Sequence, residues 1–186
     1  MSNKKVYLLG GAQTDFSLRW EREGRDIGDL MATSFERALQ ETQLDASHIE
    51  SIQVGNFVGE LFCGQGQLGG VLLQHFPALA GIPTARHEAA CASGSMAAFA
   101  AMREIEAGWY DLVAVTGVEL MRNVDGKTAS EYLGAAAWKG YEAKEANYPW
   151  VYLFANIRDF YQDRYGVKAE HLAAIAKNNY ANTKRN

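Results

Sequence analysis

The spacing of apolar positions changes period several times along the chain. Ile27, Leu30, Met31, Phe35, Ala38 and Leu39 recur at helical intervals, and Asp26 stands where an N-cap belongs. This predicts a helix from about Ile27 to Thr42. The alanine-rich stretch Ser93–Ala107, stopped by Gly108, predicts a second long helix, and Gly66–Phe76, closed by Pro77, a shorter one. Short continuous apolar runs predict buried strands at Lys5–Gly10, Ser51–Val58 and Leu112–Gly117. Thr84–Ala90 is a weaker strand, because Arg86, His87 and Glu88 interrupt it. Strands alternating with helices imply an α/β fold, a largely parallel sheet with helices on both faces. In such sheets the sites lie beyond the carboxyl ends of the strands, which directs attention to the turn around Cys91.

After Glu119 the texture changes. Residues 120–150 hold Asn123, Asp125, Gly126, Lys127, Gly134, Gly140 and Pro149 and read as an irregular excursion. Two helices follow, Val151–Tyr165 and Ala169–Ala181, separated by Gly166. The expected organisation is therefore an α/β domain over 1–119 and a second segment over 120–186. Phe154, Ile157, Phe160 and Tyr161 share one side of the first of these helices. The aromatics of 132–165 (Tyr132, Trp138, Tyr141, Tyr148, Trp150, Tyr152, Phe154, Phe160, Tyr161 and Tyr165) are numerous enough for a ligand wall or an interface, but their helical spacing makes core the expectation.

Composition narrows the classes. The 186 residues carry 18 Lys+Arg against 22 Asp+Glu, a formal net charge of −4, so a concentrated basic surface for nucleic acid is not expected. No Asp, Glu, Lys or Arg occurs between Glu60 and Arg86. Five Gly, two Pro, three Gln and His75 in that stretch argue against a membrane span and for buried structure. The apolar run in MSNKKVYLLGG is too short for a signal peptide. Cys63 and Cys91 form no CxxC pair, and His48, His75, His87 and His171 supply no H-x3-5-H partner, so no metal site is expected. Two unclustered thiols fit a reducing, intracellular compartment, the cytoplasm first and the peroxisome as an open alternative.

Cys91 is the leading candidate for chemistry. It sits in HEAACASGSMAAFAAM, between a strand and the start of the alanine-rich helix. Unpaired amides and the positive end of the helix dipole favour a thiolate there. Small neighbours (Ala89, Ala90, Ala92, Ser93, Gly94) leave room for a substrate and for amides facing an oxyanion. No local base is visible: His87 is nearest, but four residues of extended chain span about 13 Å. Cys63 beside Phe62 reads as packing. Gly64, Gly66 and Gly69 form a literal GxGxxG, with Glu88 near the distance for a ribose contact. Residues 59–63 separate them from the preceding strand, which leaves a dinucleotide site as the minority reading.

Taken together, EAACASGSMAA around Cys91, GQGQ at Gly64–Gln67, VAVTGVELM at Val113–Met121 and the closing KNNYANTKRN resemble the thiolase superfamily. The likeness is greatest to its branch of sterol-carrier-protein-type, acetyl-CoA acetyltransferase-like thiolases, and it covers the amino-terminal portion. The resemblance implies a thiolase-like layered fold, with 120–186 as the start of the loop domain. It implies that Cys91 is the acyl-accepting nucleophile and that its backbone N–H contributes to an oxyanion hole. It further implies acyl-CoA and CoA as substrates, no metal or redox cofactor, and assembly as a homodimer or homotetramer. The family's activating His and its second Cys, in a C-x-G motif, belong to a carboxyl-terminal half without counterpart here, so a continuation or a partner chain would have to supply them. Two positions depart from the pattern: Glu88 stands where many thiolases have Asn, and Leu120 where Ser often follows the GVE glutamate. The rival expectation is a non-catalytic thiolase-like subunit that binds acyl-CoA or lipid, or acts as a scaffold.

Overall fold

The computed structural model describes residues 4–184. They fold into two compact units, Met1–Tyr132 and Leu133–Asn186. The first contains a parallel three-stranded sheet of β1 (Ser51–Gly55), β2 (Thr84–His87) and β3 (Val113–Gly117), in the order β2-β1-β3. Ile52 pairs with Thr84 on one side and with Ala114 on the other. Every residue of β1 is buried, as a central strand covered on both faces requires.

Alternation along β1 assigns the two faces. Ile52 and Val54 are fully buried and belong to the main core, with Ile27, Met31 and Phe35 of α1 (Ile27–Thr42) and Leu72 of α3 (Leu72–His75). Gln53 points the other way, beneath α4 (Ser93–Ala107). Its Nε2 donates to Ser51 Oγ at 2.9 Å and to Glu104 Oε2 at 3.0 Å, and its Oε1 lies 2.6 Å from His87 Nε2. Those bonds satisfy a polar side chain that is only 3% exposed. Helix α4 meets this face through Ser93, Ala97 and Ala101, one small buried residue per turn. The helices therefore lie on both faces of the sheet, as the sequence pattern implies.

Element boundaries follow local chemistry. Helix α1 begins at a capping box: the Asp26 carboxylate accepts from the Asp29 N–H, and the Asp29 carboxylate accepts from the Asp26 N–H, both at 3.0 Å. Helix α4 ends where Gly108 turns left-handed, with φ +77°. The helix expected over Gly66–Phe76 breaks into a 3-10 turn at Leu68–Gly70 and the single turn of α3. Gly69 explains the break: a Cβ there would lie 2.6 Å from Thr84 Oγ1, so the chain needs glycine for contact with β2 and forgoes helix propensity.

Three further expectations are corrected. Lys5–Gly10 is not a strand. It makes no ladder among the described residues, and Leu8 is 95% exposed. Among the described residues its apolar run has no strand beside it, and only Gly10 at its end lies against α1, at Thr42. Lys4, just before it, forms an ion pair with Asp111 at 2.8 Å. The sheet thus has three strands among the described residues, not four. Within 120–150, expected to be irregular, α5 spans Gly126–Leu133. Asp125 starts it by accepting from the N–H groups of Lys127 and Thr128 and from the Thr128 hydroxyl. In the second unit, α6 (Pro149–Tyr165) and α7 (Ala169–Thr183) form where helices were expected. The apolar side of α6 is not core: Phe154, Ile157, Phe160 and Tyr161 are all exposed among the described residues. No helix among the described residues is long and apolar enough to cross a membrane.

The capping box gives a direct stability test. Asp26→Ala is expected to lower the unfolding free energy by about 1 kcal/mol, read as a lower urea midpoint at unchanged slope.

Candidate active site

The carboxyl ends of the three strands, at Gly55, His87 and Gly117, lie side by side in register. From His87 the chain makes a tight 3-10 turn, Ala90–Ala92, that runs directly into α4. Cys91 occupies the middle of that turn and is exposed. Its thiol makes no hydrogen bond among the described residues, and the geometry of the turn carries it.

That geometry is tightly held. Ala90 has φ +49°, a left-handed conformation disfavoured for a residue with a Cβ. Its N–H donates to Glu88 Oε1 at 2.6 Å, and its carbonyl accepts from Ser93 Oγ at 2.7 Å. The same hydroxyl accepts from the Ala89 N–H at 2.9 Å. Beneath the turn, β1 and α4 touch backbone to backbone. A Cβ on Gly55 would lie 2.7 Å from Gly94 Cα and 2.8 Å from Gly94 N, closer than real Cβ contacts. Glycine at 55 is what lets the helix start sit on the end of the central strand.

The neighbouring turn after β1 is built from charge. Asn56, 2% exposed, donates to the Val118 carbonyl at 2.8 Å and accepts from the Gly59 N–H at 3.0 Å. The Glu119 carboxylate accepts from the Phe57 N–H at 3.0 Å and from Asn56 Nδ2 at 3.2 Å. Glu119 therefore ties the end of β3 to the end of β1. The Arg86 guanidinium pairs with Glu60 at the start of α2 (Gly59–Cys63) and donates to the Phe57 carbonyl at 2.9 Å. This hydrogen-bonded pairing holds the Glu60 carboxyl below the usual glutamate range.

The remaining candidates are placed apart from this turn. Cys63 ends α2, half-buried, and burial followed by the negative charges of Glu119 and Asp26 pushes its thiol up from the ordinary cysteine value. Gly64 turns left-handed as the C-cap of α2, and Gly69 packs on Thr84. Gly64 and Gly66 follow a helix and Gly69 lies within a 3-10 turn, so none opens a helix directly from a strand as a dinucleotide fingerprint does. His87 is engaged with Gln53, and His171 Nδ1 accepts from the Lys168 N–H at 3.3 Å in the cap of α7. Sequence reasoning found Cys91 and its small neighbours, Ser93 among them, but missed Gly55 and Asn56. The run VGNF, a glycine followed by a capping residue at a strand end, was their signal.

Comparison with known proteins now bears on this arrangement. The profile of the family described as "Thiolase, N-terminal domain" matches residues 6–186. The chain belongs to the thiolase family. Its relatives include an "Acetyl-CoA acetyltransferase" of Methanocaldococcus jannaschii, 32% identical over 98% of this chain and 45% of that protein. A protein of the same description from Methanothermobacter thermautotrophicus is 28% identical, again over 98% of this chain and 46% of the relative. "Sterol carrier protein 2" of Rattus norvegicus is 27% identical over 98% of this chain and 34% of its own length. The thiolase-family chain thus spans less than half the length of these curated relatives. The turn carrying Cys91 and the Glu119 tie both fall inside the matched region.

The two thiols differ in exposure and in electrostatic surroundings, and alkylation should separate them. Iodoacetamide near pH 8 is expected to modify Cys91 at least about tenfold faster than Cys63. Cys63, whose raised pKa keeps it protonated longer, should gain reactivity only at more alkaline pH. Peptide mass mapping over a time course measures both rates.

Proposed function

We propose that this chain is the amino-terminal portion of a thiolase and that Cys91 is its acyl-accepting nucleophile. The observation that supports this most is the placement of an exposed thiol on a rigid turn, at the carboxyl end of a parallel sheet and the start of a helix. In the thiolytic direction the Cys91 thiolate attacks the keto carbon of a 3-ketoacyl-CoA. The bond between its α and β carbons breaks, and its electron pair leaves on acetyl-CoA, or a homologue, which takes up a proton. The acyl group stays on sulfur as a thioester until the thiol of a second CoA attacks it, loses its proton and releases Cys91. The reverse sequence is a Claisen condensation. The chemistry needs only CoA thioesters and proton transfer, with no further cofactor.

The proton-transfer groups are assigned to a carboxyl-terminal half, supplied by continuation of the chain or by a partner. Exposed apolar side chains on the first unit fit that assignment: Met96 and Phe99 on α4, Val115 on β3, and Tyr7, Leu8 and Leu9. Residues 120–186 are proposed as the start of the loop domain, and the exposed aromatics of α6 fit a surface that becomes covered on assembly, as a homodimer or homotetramer. A compartment inside the cell is proposed on the same reading, since acyl-CoA and a free catalytic thiol require one.

The second reading, a subunit that binds acyl-CoA or lipid without turnover, is favoured by a relative described as "Non-specific lipid-transfer protein-like 2" of Caenorhabditis elegans, 29% identical over 98% of this chain. Acyl trapping decides between the two. In the polypeptide or complex containing the carboxyl-terminal half, acetyl-CoA is expected to leave one acetyl group on the Cys91 peptide. Added CoA should remove it, and Cys91→Ser should abolish it. Tight acyl-CoA binding without any acylation of Cys91 would support the binding subunit instead.

A further inference from the structure

We propose that the Ser93 hydroxyl is the positioning group that aims the Cys91 thiol. The residue before the thiol, Ala90, is fixed at both of its peptide groups. Glu88 accepts from its N–H at 2.6 Å, and Ser93 donates to its carbonyl at 2.7 Å. Ser93 uses both faculties of a hydroxyl, since the same oxygen accepts from the Ala89 N–H at 2.9 Å. The loop Ala89–Ala92 is closed by backbone, the Ala92 N–H donating to the Ala89 carbonyl at 2.9 Å and the Ser93 N–H to the Ala90 carbonyl. The hydroxyl of Ser93, a residue only 5% exposed, adds the side-chain clasp on Ala89 and Ala90.

The loop needs this closure because Ala90 is held left-handed, at φ +49°, which opposes its own Cβ. Without the hydroxyl, Ala90 relaxes toward right-handed or extended backbone, and the following peptide, which belongs to Cys91, rotates with it. The thiol has no hydrogen bond of its own among the described residues, so its direction follows the turn, which the Ser93 hydroxyl holds together with Glu88 and the backbone bond from Ala92 N–H to the Ala89 carbonyl. Gly55 fixes the other side of the device: its close approach to Gly94 and to the Ser93 carbonyl carbon, 2.9 Å from a Cβ at 55, anchors the backbone from which Ser93 reaches up. Ser93 does not touch substrate on this account; it acts through Cys91.

The proposal rests on reading Cys91 as the acyl acceptor, but its test does not require acyl transfer. Alkylation by iodoacetamide is followed in the 186-residue chain, with Cys63 as internal reference. Ser93→Ala is expected to lower the Cys91-to-Cys63 rate ratio by about fivefold or more, as the turn relaxes and the thiol loses its outward, accessible direction. Glycine at position 90 removes the cost of the left-handed conformation. Ala90→Gly combined with Ser93→Ala should therefore recover the ratio to within about twofold of Ala90→Gly alone. A merely structural serine would lower the melting temperature and leave the ratio unchanged, and that result overturns the proposal. So does a double variant as slow as Ser93→Ala. If Ser93→Ala does not fold, the double variant against Ala90→Gly decides, and failure of both to fold makes Ser93 a folding residue and ends the proposal. Failure of acyl trapping with this pattern intact would remove the thiolase mechanism and leave the positioning role.

Discussion

The backbone contact between Gly55 and Gly94 is the constraint from which the rest of the first unit follows. A central parallel strand normally meets its covering helix through side chains. Here the end of β1 and the start of α4 meet with no side chain between them. The helix start is lowered onto the sheet, and the turn that precedes it must bend sharply to reach His87. That sharp bend is where Ala90 goes left-handed, where Glu88 and Ser93 are recruited, and where Cys91 is turned outward. Further along the helix the same closeness selects Ala97 and Ala101, because larger residues would lift α4 from the strand it seals.

Charge completes what packing begins. At the end of a parallel sheet the strand carbonyls and turn amides lose their ladder partners, and each needs another. Glu119 and Asn56 take the amides of Phe57 and Gly59 and link β3 to β1, while Arg86 links β2 to the turn after β1. The three strand ends thus become one rigid platform. A nucleophile mounted beside such a platform is oriented before substrate arrives, which is the geometric requirement of covalent acyl transfer.

Much of this was legible in the sequence. The helices at 27–42 and 93–107 have residue-level signals: Asp26 and a helical apolar stripe for one, the alanine-rich run and Gly108 for the other. The thiol was legible because a cysteine among alanines and glycines at a strand–helix junction has few structural uses. Three kinds of information were not. The break in Gly66–Phe76 depends on Gly69 meeting Thr84, a contact between positions fifteen apart that no local pattern encodes. Lys5–Gly10 and the aromatic side of α6 carry the hydropathy of buried elements but are exposed among the described residues. Hydropathy reports what a segment is suited to face, and cannot say whether the facing layer lies within the same stretch of chain. The Glu119 tie spans more than sixty residues and is visible only once β1 and β3 are neighbours.

The most direct test of the account is the reactivity of Cys91 in Gly55→Ala. The added methyl must push Ser93 and Gly94 away from β1, since backbone on the other side cannot swing aside as a flexible side chain would. With the variant folded by circular dichroism, the account predicts that the alkylation rate of Cys91 falls by about fivefold or more while that of Cys63 is unchanged. A folded Gly55→Ala protein in which Cys91 reacts at the wild-type rate would contradict it.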